Sequence, residues 1–282
     1  RYFGREHPAT AASLNDLGYM YHSQGRFAEA EPLLRRALEI RESTLGPNNP
    51  NSAQSLNNLA RLYEDQGRSE EAEPLYHRAL ESYLHCLGPT HPETVLGLNN
   101  LGNLYRTLGR WAEAEPLLHL ALHIREQTLR PDDPKTATSL NNLAELYSEQ
   151  GRWVEAEPLH RRALDIRERV LGPDHPDTAA TINNLAICYE YQGRQAMAEP
   201  LLRRALEISE RRLGPDHPNT AKSLNNIADL YKTQGRWTEA ETLHRRALEI
   251  RERVLGPDHP DTANSLNNLA NLYHDQGRRA EA

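Results

Sequence analysis

Cysteine is nearly absent from this chain. Its two copies, Cys86 and Cys188, show no CxxC or CxxH spacing, which argues against a disulfide framework and a structural zinc site. A reducing, cytoplasmic setting is therefore expected. Aromatic residues are scarce at 6%, with only two Phe, whereas a compact domain of 282 residues normally buries more ring area. No apolar run approaches 18 residues and no signal peptide opens the chain, so no membrane partner is expected. One-sided charge is also missing. The net charge of −7 leaves neither the basic balance that nucleic acid demands nor an acidic tail. There is no GxGxxG, P-loop, HExxH or GxSxG pattern.

What the chain has is a repeat, the first feature to seek because a missed period changes the fold. Gly25, Gly67, Gly109, Gly151, Gly193, Gly235 and Gly277 are spaced by 42 residues, and an Arg follows each, from Arg26 to Arg278. Tyr21, Tyr63, Tyr105, Tyr147, Tyr189, Tyr231 and Tyr273 keep the same spacing. Six full repeats and part of a seventh fill residues 1–282, which read as a single domain. Leu and Ala dominate the 38% of hydrophobic residues and suit helices.

The second repeat displays the pattern. Asn49-Pro50 opens a first helix. At the slot before proline the other copies place His7, His91, His175, His217, His259 and Asp133. Asn and Asp are strong N-caps and Pro favours the first helical position, so the slot predicts a helix start. Leu56, Leu59, Ala60, Leu62 and Tyr63 form an i, i+3, i+4, i+7 stripe. Gly67 is the left-handed residue past the helix end. A second helix begins near Ser69, carries Ala72, Leu75, Tyr76, Ala79, Leu80 and Tyr83, and stops before Leu87-Gly88-Pro89. Pro74 falls near the end of its first turn, where a missing N–H costs least.

Small residues mark the close crossings. Ala or Gly fills the Ala60 slot in every repeat, and Ala fills the Ala72 slot from Ala30 to Ala282 and the Ala79 slot wherever it is present. A larger side chain there would cost roughly 1–3 kcal/mol by overpacking. One hairpin cannot bury its own stripe, so the copies must stack.

Leu56, Leu59, Ala60 and Tyr63, followed by Ala72, Tyr76 and Ala79, resemble the tetratricopeptide-repeat signature. That family usually repeats at about 34 residues. The longer period, the LNNLA and EAEPL segments and the LGPxHP loop are similar to the kinesin light chain type, in the form met in bacterial, often cyanobacterial, proteins. The resemblance implies an all-α, right-handed superhelical solenoid. Its first helices would line a concave groove that binds an extended peptide or partner protein, and its second helices would form the outside. Kinesin light chains carry an N-terminal heptad coiled coil that binds the motor. Nothing here matches it, so a motor role is not carried over.

On that mapping the groove includes the slots of Gln54, Asn57, Asn58, Arg61, Glu64 and Asp65. Paired asparagines recur as Asn57-Asn58, Asn99-Asn100, Asn141-Asn142, Asn183-Asn184, Asn225-Asn226 and Asn267-Asn268, with Asn15-Asp16 in the first copy. Asn inside a helix costs roughly 0.5 kcal/mol against Ala, so their recurrence needs a reason. Each amide donates and accepts, which suits the backbone of an extended peptide. The alternative is an internal ladder, in which one member of each pair bonds the adjacent repeat while the other faces the groove.

The remaining inner slots vary on a nearly copied scaffold. The Arg61 slot reads Tyr19, Arg61, Asn103, Glu145, Ile187, Asp229, Asn271. The Gln54 slot reads Ala12, Gln54, Leu96, Thr138, Ala180, Lys222, Asn264, and the Glu64 slot His22, Glu64, Arg106, Ser148, Glu190, Lys232, His274. Such variation is what a specificity surface requires, although drift at exposed positions also produces it. Besides the asparagine pairs from Asn57 to Asn226, the candidate groove residues are Arg61, Asn103, Arg106, Glu145, Glu149, Glu190, Lys222, Asp229 and Lys232. Acidic side chains outnumber basic ones along this face, and the Lys/Arg clamp of chaperone-tail binders is missing. A neutral or partly basic extended partner is expected, centred on Glu145, Glu149 and Glu190.

Other signals carry less. The histidines before proline read as caps, and His77, His119, His160 and His244 as capping or surface residues, so no metal or cofactor is expected. Trp111, Trp153 and Trp237 share a slot with Phe27 and read as packing under the turn. Arg35-Arg36, Arg161-Arg162, Arg203-Arg204 and Arg245-Arg246, interleaved with acids, read as a solvated ion-paired face. Every notable residue recurs once per repeat, whereas catalysis needs a unique constellation, so an enzyme is not expected. The chain starts mid-linker at Arg1 without Met and stops inside a second helix at Ala282, with no polar capping helix at either end. Open ends suggest end-to-end self-association as an alternative role, or a sensor arm within a larger signalling protein.

Overall fold

The computed structural model describes Gly4 and residues 6–278. Arg1 and Ala282, including the seventh copy of the Ala72 slot, lie outside the described residues. The described residues form helices and no strand. The first helix of each repeat is α1 (Pro8–Ser23), α3 (Pro50–Asp65), α5 (Pro92–Thr107), α7 (Pro134–Glu149), α9 (Pro176–Tyr191), α11 (Pro218–Thr233) and α13 (Pro260–Asp275). The second is α2 (Phe27–Leu45), α4 (Ser69–Leu87), α6 (Trp111–Thr128), α8 (Trp153–Val170), α10 (Gln195–Arg212) and α12 (Trp237–Leu255).

The boundaries follow local chemistry. Each first helix starts with Pro at its first position, and the residue before it caps the helix. Asn49 Oδ1 accepts from the Asn51 N–H at 2.9 Å and Asp133 Oδ1 from the Lys135 N–H at 2.8 Å. His7, His91, His175, His217 and His259 do the same through Nδ1, so these rings are uncharged at that nitrogen in the capped state. The first helix ends in a Schellman turn. Gly67 takes φ +73°, its N–H bonds Glu64 O at 2.9 Å, and the Arg68 N–H bonds Tyr63 O at 2.8 Å.

Between repeats a second left-handed glycine turns the chain, as at Gly88 with φ +85°. Its carbonyl accepts from the hydroxyl six residues on, Thr94 Oγ1 at 2.7 Å. Arg130 occupies this glycine slot in the third repeat, and no non-glycine residue among those described takes a positive φ. The helices gather into two compact units, which divide between Arg130 and Pro131. The one departure from the linker pattern therefore coincides with the boundary between units.

Within each unit, every hairpin packs on the next. Ala30, Ala72, Ala114, Ala156, Ala198 and Ala240 are fully buried, as are Leu56, Leu62, Leu140 and Leu146. Gly18 and Gly102 occupy the Ala60 slot. A Cβ on Gly18 would stand 2.8 Å from Leu34 Cγ, and one on Gly102 2.9 Å from Leu118 Cγ. Successive first helices also touch, as α1 does α3 and α9 does α11, so the first helices crowd along one face of each unit.

The Tyr and Arg of the repeat signature hold neighbouring hairpins together. Arg35 Nε donates to Tyr63 Oη at 2.8 Å, and Tyr63 Oη donates to Glu31 Oε1 at 3.3 Å. The Arg68 guanidinium covers the Tyr63 ring at 4.1 Å and reaches Glu31 at 3.0 Å. The same cluster recurs around Tyr273, with Arg245, Glu241 and Arg278.

Candidate binding face of the first helices

The inner slots separate by depth. Asn57, Asn99, Asn141, Asn183 and Asn225, expected in the groove, are buried, from 3% exposed at Asn99 to 7% at Asn57. Their place inside the stack follows from a second helical turn of polar partners on the next hairpin. Asn141 Nδ2 donates to Thr181 Oγ1 at 2.9 Å, Asn183 Nδ2 to Ser223 Oγ at 3.0 Å and Asn225 Nδ2 to Ser265 Oγ at 3.2 Å. The half-buried second asparagines reach back. Asn58 Nδ2 donates to Asn15 Oδ1 at 3.0 Å, Asn100 Nδ2 to Asn57 Oδ1 at 2.8 Å and Asn184 Nδ2 to Glu145 Oε1 at 2.8 Å. Both members of the Asn57-Asn58 and Asn183-Asn184 pairs thus serve the ladder between repeats. Asn142 and Asn226 are half-buried as well.

The slots that vary lie nearer the solvent. Arg61, Lys222 and Glu149 are exposed, while Asn103, Arg106, Glu145, Glu190, Asp229 and Lys232 are half-buried. In the second unit several of them meet. Ile187, Glu190 and Tyr191 of α9, Gln195 of α10, and Asn226, Asp229, Lys232 and Thr233 of α11 line a cleft of about 540 Å³. Glu145 and Glu149, placed with Glu190 by the sequence reading, sit on α7 and do not line it.

The cleft is electrostatically tuned. Burial and the neighbouring Asp229 charge push the Glu190 carboxyl up to about 7. Burial raises Asp229 to about 6, against the opposing pull of Lys232. Lys232 itself is engaged by Asp275 at 2.7 Å. The Tyr191 ring, 66% exposed, lies flat on Trp153 at 4.3 Å with 2° between the planes. Trp153 is therefore a support for this face as well as a turn residue, while Trp111 and Trp237 are more than a third exposed rather than enclosed.

His160 and His244, expected as capping or surface residues, are buried at 1% and 0% exposure. Each sits beneath the asparagine ladder. His160 Nδ1 lies 2.9 Å from Asn141 Oδ1 and His244 Nδ1 2.9 Å from Asn225 Oδ1. Since each amide nitrogen is already donating to a hydroxyl, Nδ1 carries the proton and Nε2 the lone pair. Burial drives both rings down to about 4, so they stay neutral near pH 7. Beyond the hydroxyl stands an arginine. Arg167 donates to Thr181 Oγ1 at 2.6 Å, and Arg251 to Ser265 Oγ at 2.8 Å. The sequence carried a signal for this chain of bonds. These histidines fill a slot that is Leu34, Tyr76, Leu118 or Leu202 elsewhere, which marks an interior position.

Hairpins stacked through small-residue crossings and stitched by amide ladders define the class, an all-α helical-repeat solenoid. The tetratricopeptide-repeat pattern matches residues 9–85, 51–127, 93–167, 135–211, 196–252 and 223–282, and the chain belongs to that family. Its repeats are of the kinesin light chain-like kind. The fold is similar to a kinesin light chain candidate with nearly identical TPR-like repeats from Podosopora anserina, at 28% identity over 73% of this chain and 97% of that one, TM-score 0.59. It is similar to BtubC (BKLC) from P. vanneervenii at 25% identity over 83% and 92%, TM-score 0.64. A Rap protein complexed with competence and sporulation factor shares the fold at 17% identity over 94% and 75%, TM-score 0.65. No curated protein matches the chain. Among the described residues, no helix is long and apolar enough to cross a membrane, and no group of three or more His, Cys, Asp or Glu is placed to hold a metal ion.

Proposed function

We propose that this chain is a protein-interaction module that holds an extended peptide or partner protein along the face of its first helices, without catalytic turnover. One observation carries the reading. The slots copied from repeat to repeat, such as those of Leu56, Asn57, Leu59 and Ala60, are buried in the second repeat, whereas the varied slots of Gln54, Arg61, Glu64 and Asp65 lie at or near the surface. Constant interior and varied face together give one scaffold with an individual recognition surface. In the second unit that surface includes the cleft between α9 and α11, which lets a guest be contacted from two helices at once. The carboxylates of the face favour a neutral or partly basic partner.

The test is a random-peptide display selection on the intact chain, repeated with a Thr138→Arg, Lys222→Glu variant. Both residues are exposed in the Gln54 slot, so helicity should be unchanged. Selected peptides are expected to bind the variant at least tenfold more weakly. Peptides indifferent to these changes but displaced by Arg203→Glu on α10 would place recognition on the other face and overturn the reading.

A further inference from the structure

We infer that the cleft between α9 and α11 receives one arginine side chain of the bound partner, its guanidinium held between the Glu190 and Asp229 carboxylates against the Tyr191 ring. The inference rests on the peptide-binding reading and adds the chemistry of its principal contact.

Four features converge on a planar cation. First, two carboxylates from successive repeats line one cleft of about 540 Å³, large enough for a long side chain. Second, the local cation only partly offsets them, because Lys232, which pulls on Asp229, is itself paired with Asp275 at 2.7 Å. Third, Tyr191 presents an exposed ring, already fixed by its stack on Trp153 at 4.3 Å. A rigid aromatic wall beside carboxylates is the arrangement that stacks a guanidinium while accepting its N–H groups. Fourth, a buried acceptor beside the site lacks a partner. His244, 0% exposed, turns an unbonded Nε2 toward Asp229 Oδ1 at 3.5 Å. That nitrogen offers a lone pair to an oxygen that also offers lone pairs, so Asp229 gains nothing from it while ionised.

The cleft therefore holds its negative charge at a cost. Lost hydration pushes both carboxyls toward the protonated form, and at Glu190 the Asp229 charge adds to it. A guest cation reverses this, since it restores ionisation and is held by the resulting charge. Arginine suits the site better than lysine. Its flat five-donor fork can address two carboxylates while one face stacks on the ring, whereas an ammonium is a point charge that stays more strongly hydrated.

The experiment uses peptides selected on the intact chain, then resynthesised with each Arg changed to Lys or Ala. Their affinities are measured against wild type, Glu190→Gln, Asp229→Asn and Tyr191→Ala, with helicity followed by circular dichroism. Arginine should be enriched among the peptides. Its change to Ala should weaken binding at least tenfold and its change to Lys by less, and each protein variant should remove most of that difference. Tyr191 is exposed, so its variant remains informative if either carboxamide disturbs folding. Peptides without arginine enrichment, weakened by the Thr138→Arg, Lys222→Glu variant but indifferent to the cleft variants, would overturn this inference and leave the binding face standing. Failure to select any peptide would overturn both.

Discussion

Asn183 Oδ1 and Asn226 Nδ2 are both buried and both unpaired, although they occupy the slots that are hydrogen-bonded between Asn15 and Asn58 and between Asn57 and Asn100. Where the second-helix residue beneath is His160 or His244, the amide oxygen finds an imidazole instead. Beneath Asn183 the slot is Leu202, which offers no donor. The ladder is thus uneven, and its weakest rung adjoins the cleft.

Removing Asn183 should accordingly matter less than removing its equivalents. Asn141→Ala and Asn225→Ala each delete two bonds and strand a buried imidazole N–H, at a cost of about 2–3 kcal/mol. Asn183→Ala deletes one bond, at about 1 kcal/mol. Urea unfolding midpoints of the three variants would check this order, and equal midpoints would contradict it.

The buried histidines predict an acid weakness. Their folded pKa lies near 4, below the ordinary 6.5, so the folded state binds fewer protons than the unfolded chain between those values. Stability they permit at neutral pH should be lost as pH falls from about 6.5 toward 4, by up to roughly 3 kcal/mol for each ring. A His160→Leu, His244→Leu variant should show a shallower fall in Tm over that window. An identical slope would count against the neutral-imidazole assignment.

Peptide affinity should also rise with pH, through the carboxylates instead of the histidines. Asp229 faces Lys232 on its own helix, His244 from α12 and Glu190 from α9, with Asp275 of α13 reached through Lys232. Since Glu190 titrates near 7 and Asp229 near 6, the cleft gains negative charge as pH rises from about 5 to about 7.5. An arginine peptide should bind more tightly across that rise, and Glu190→Gln, Asp229→Asn should flatten the trend. Calorimetric titration across this pH range would detect it.

Packing predicts that Gly102→Ala is harmful even though Ala fills the same slot in the next repeat. Its Cβ would lie 2.9 Å from Leu118 Cγ, so the Leu118 side chain must shift, costing roughly 1–3 kcal/mol. Gly18→Ala should behave alike against Leu34. Thermal melts of both variants against wild type would check this.

Much of the architecture was written in linear order. Caps before proline, the glycine after each first helix, the small residues at crossings and the 42-residue period all act locally or on the immediate neighbour, so their spacing alone sets hairpin, turn and stack. Side-chain depth was only partly legible. The helical stripe identified the leucines, but Asn57 and Asn58 lie side by side in sequence and both carry amides. Nothing in their order says that the first is sealed against the next hairpin and the second half-open.

Partnership across repeats was decided by the fold alone. Glu190 and Asp229 stand 39 positions apart and belong to different copies, and they share a cleft because α11 packs beside α9. In sequence His160 and His244 read as capping or surface residues because a titratable ring is usually wet, and only the packed hairpin supplies the asparagine oxygen that makes burial tolerable. Local sequence governs which segments coil and where they stop, since those forces act within a few residues. Desolvation and hydrogen bonding depend on what stands opposite in space, and that is settled only when the hairpins close on one another.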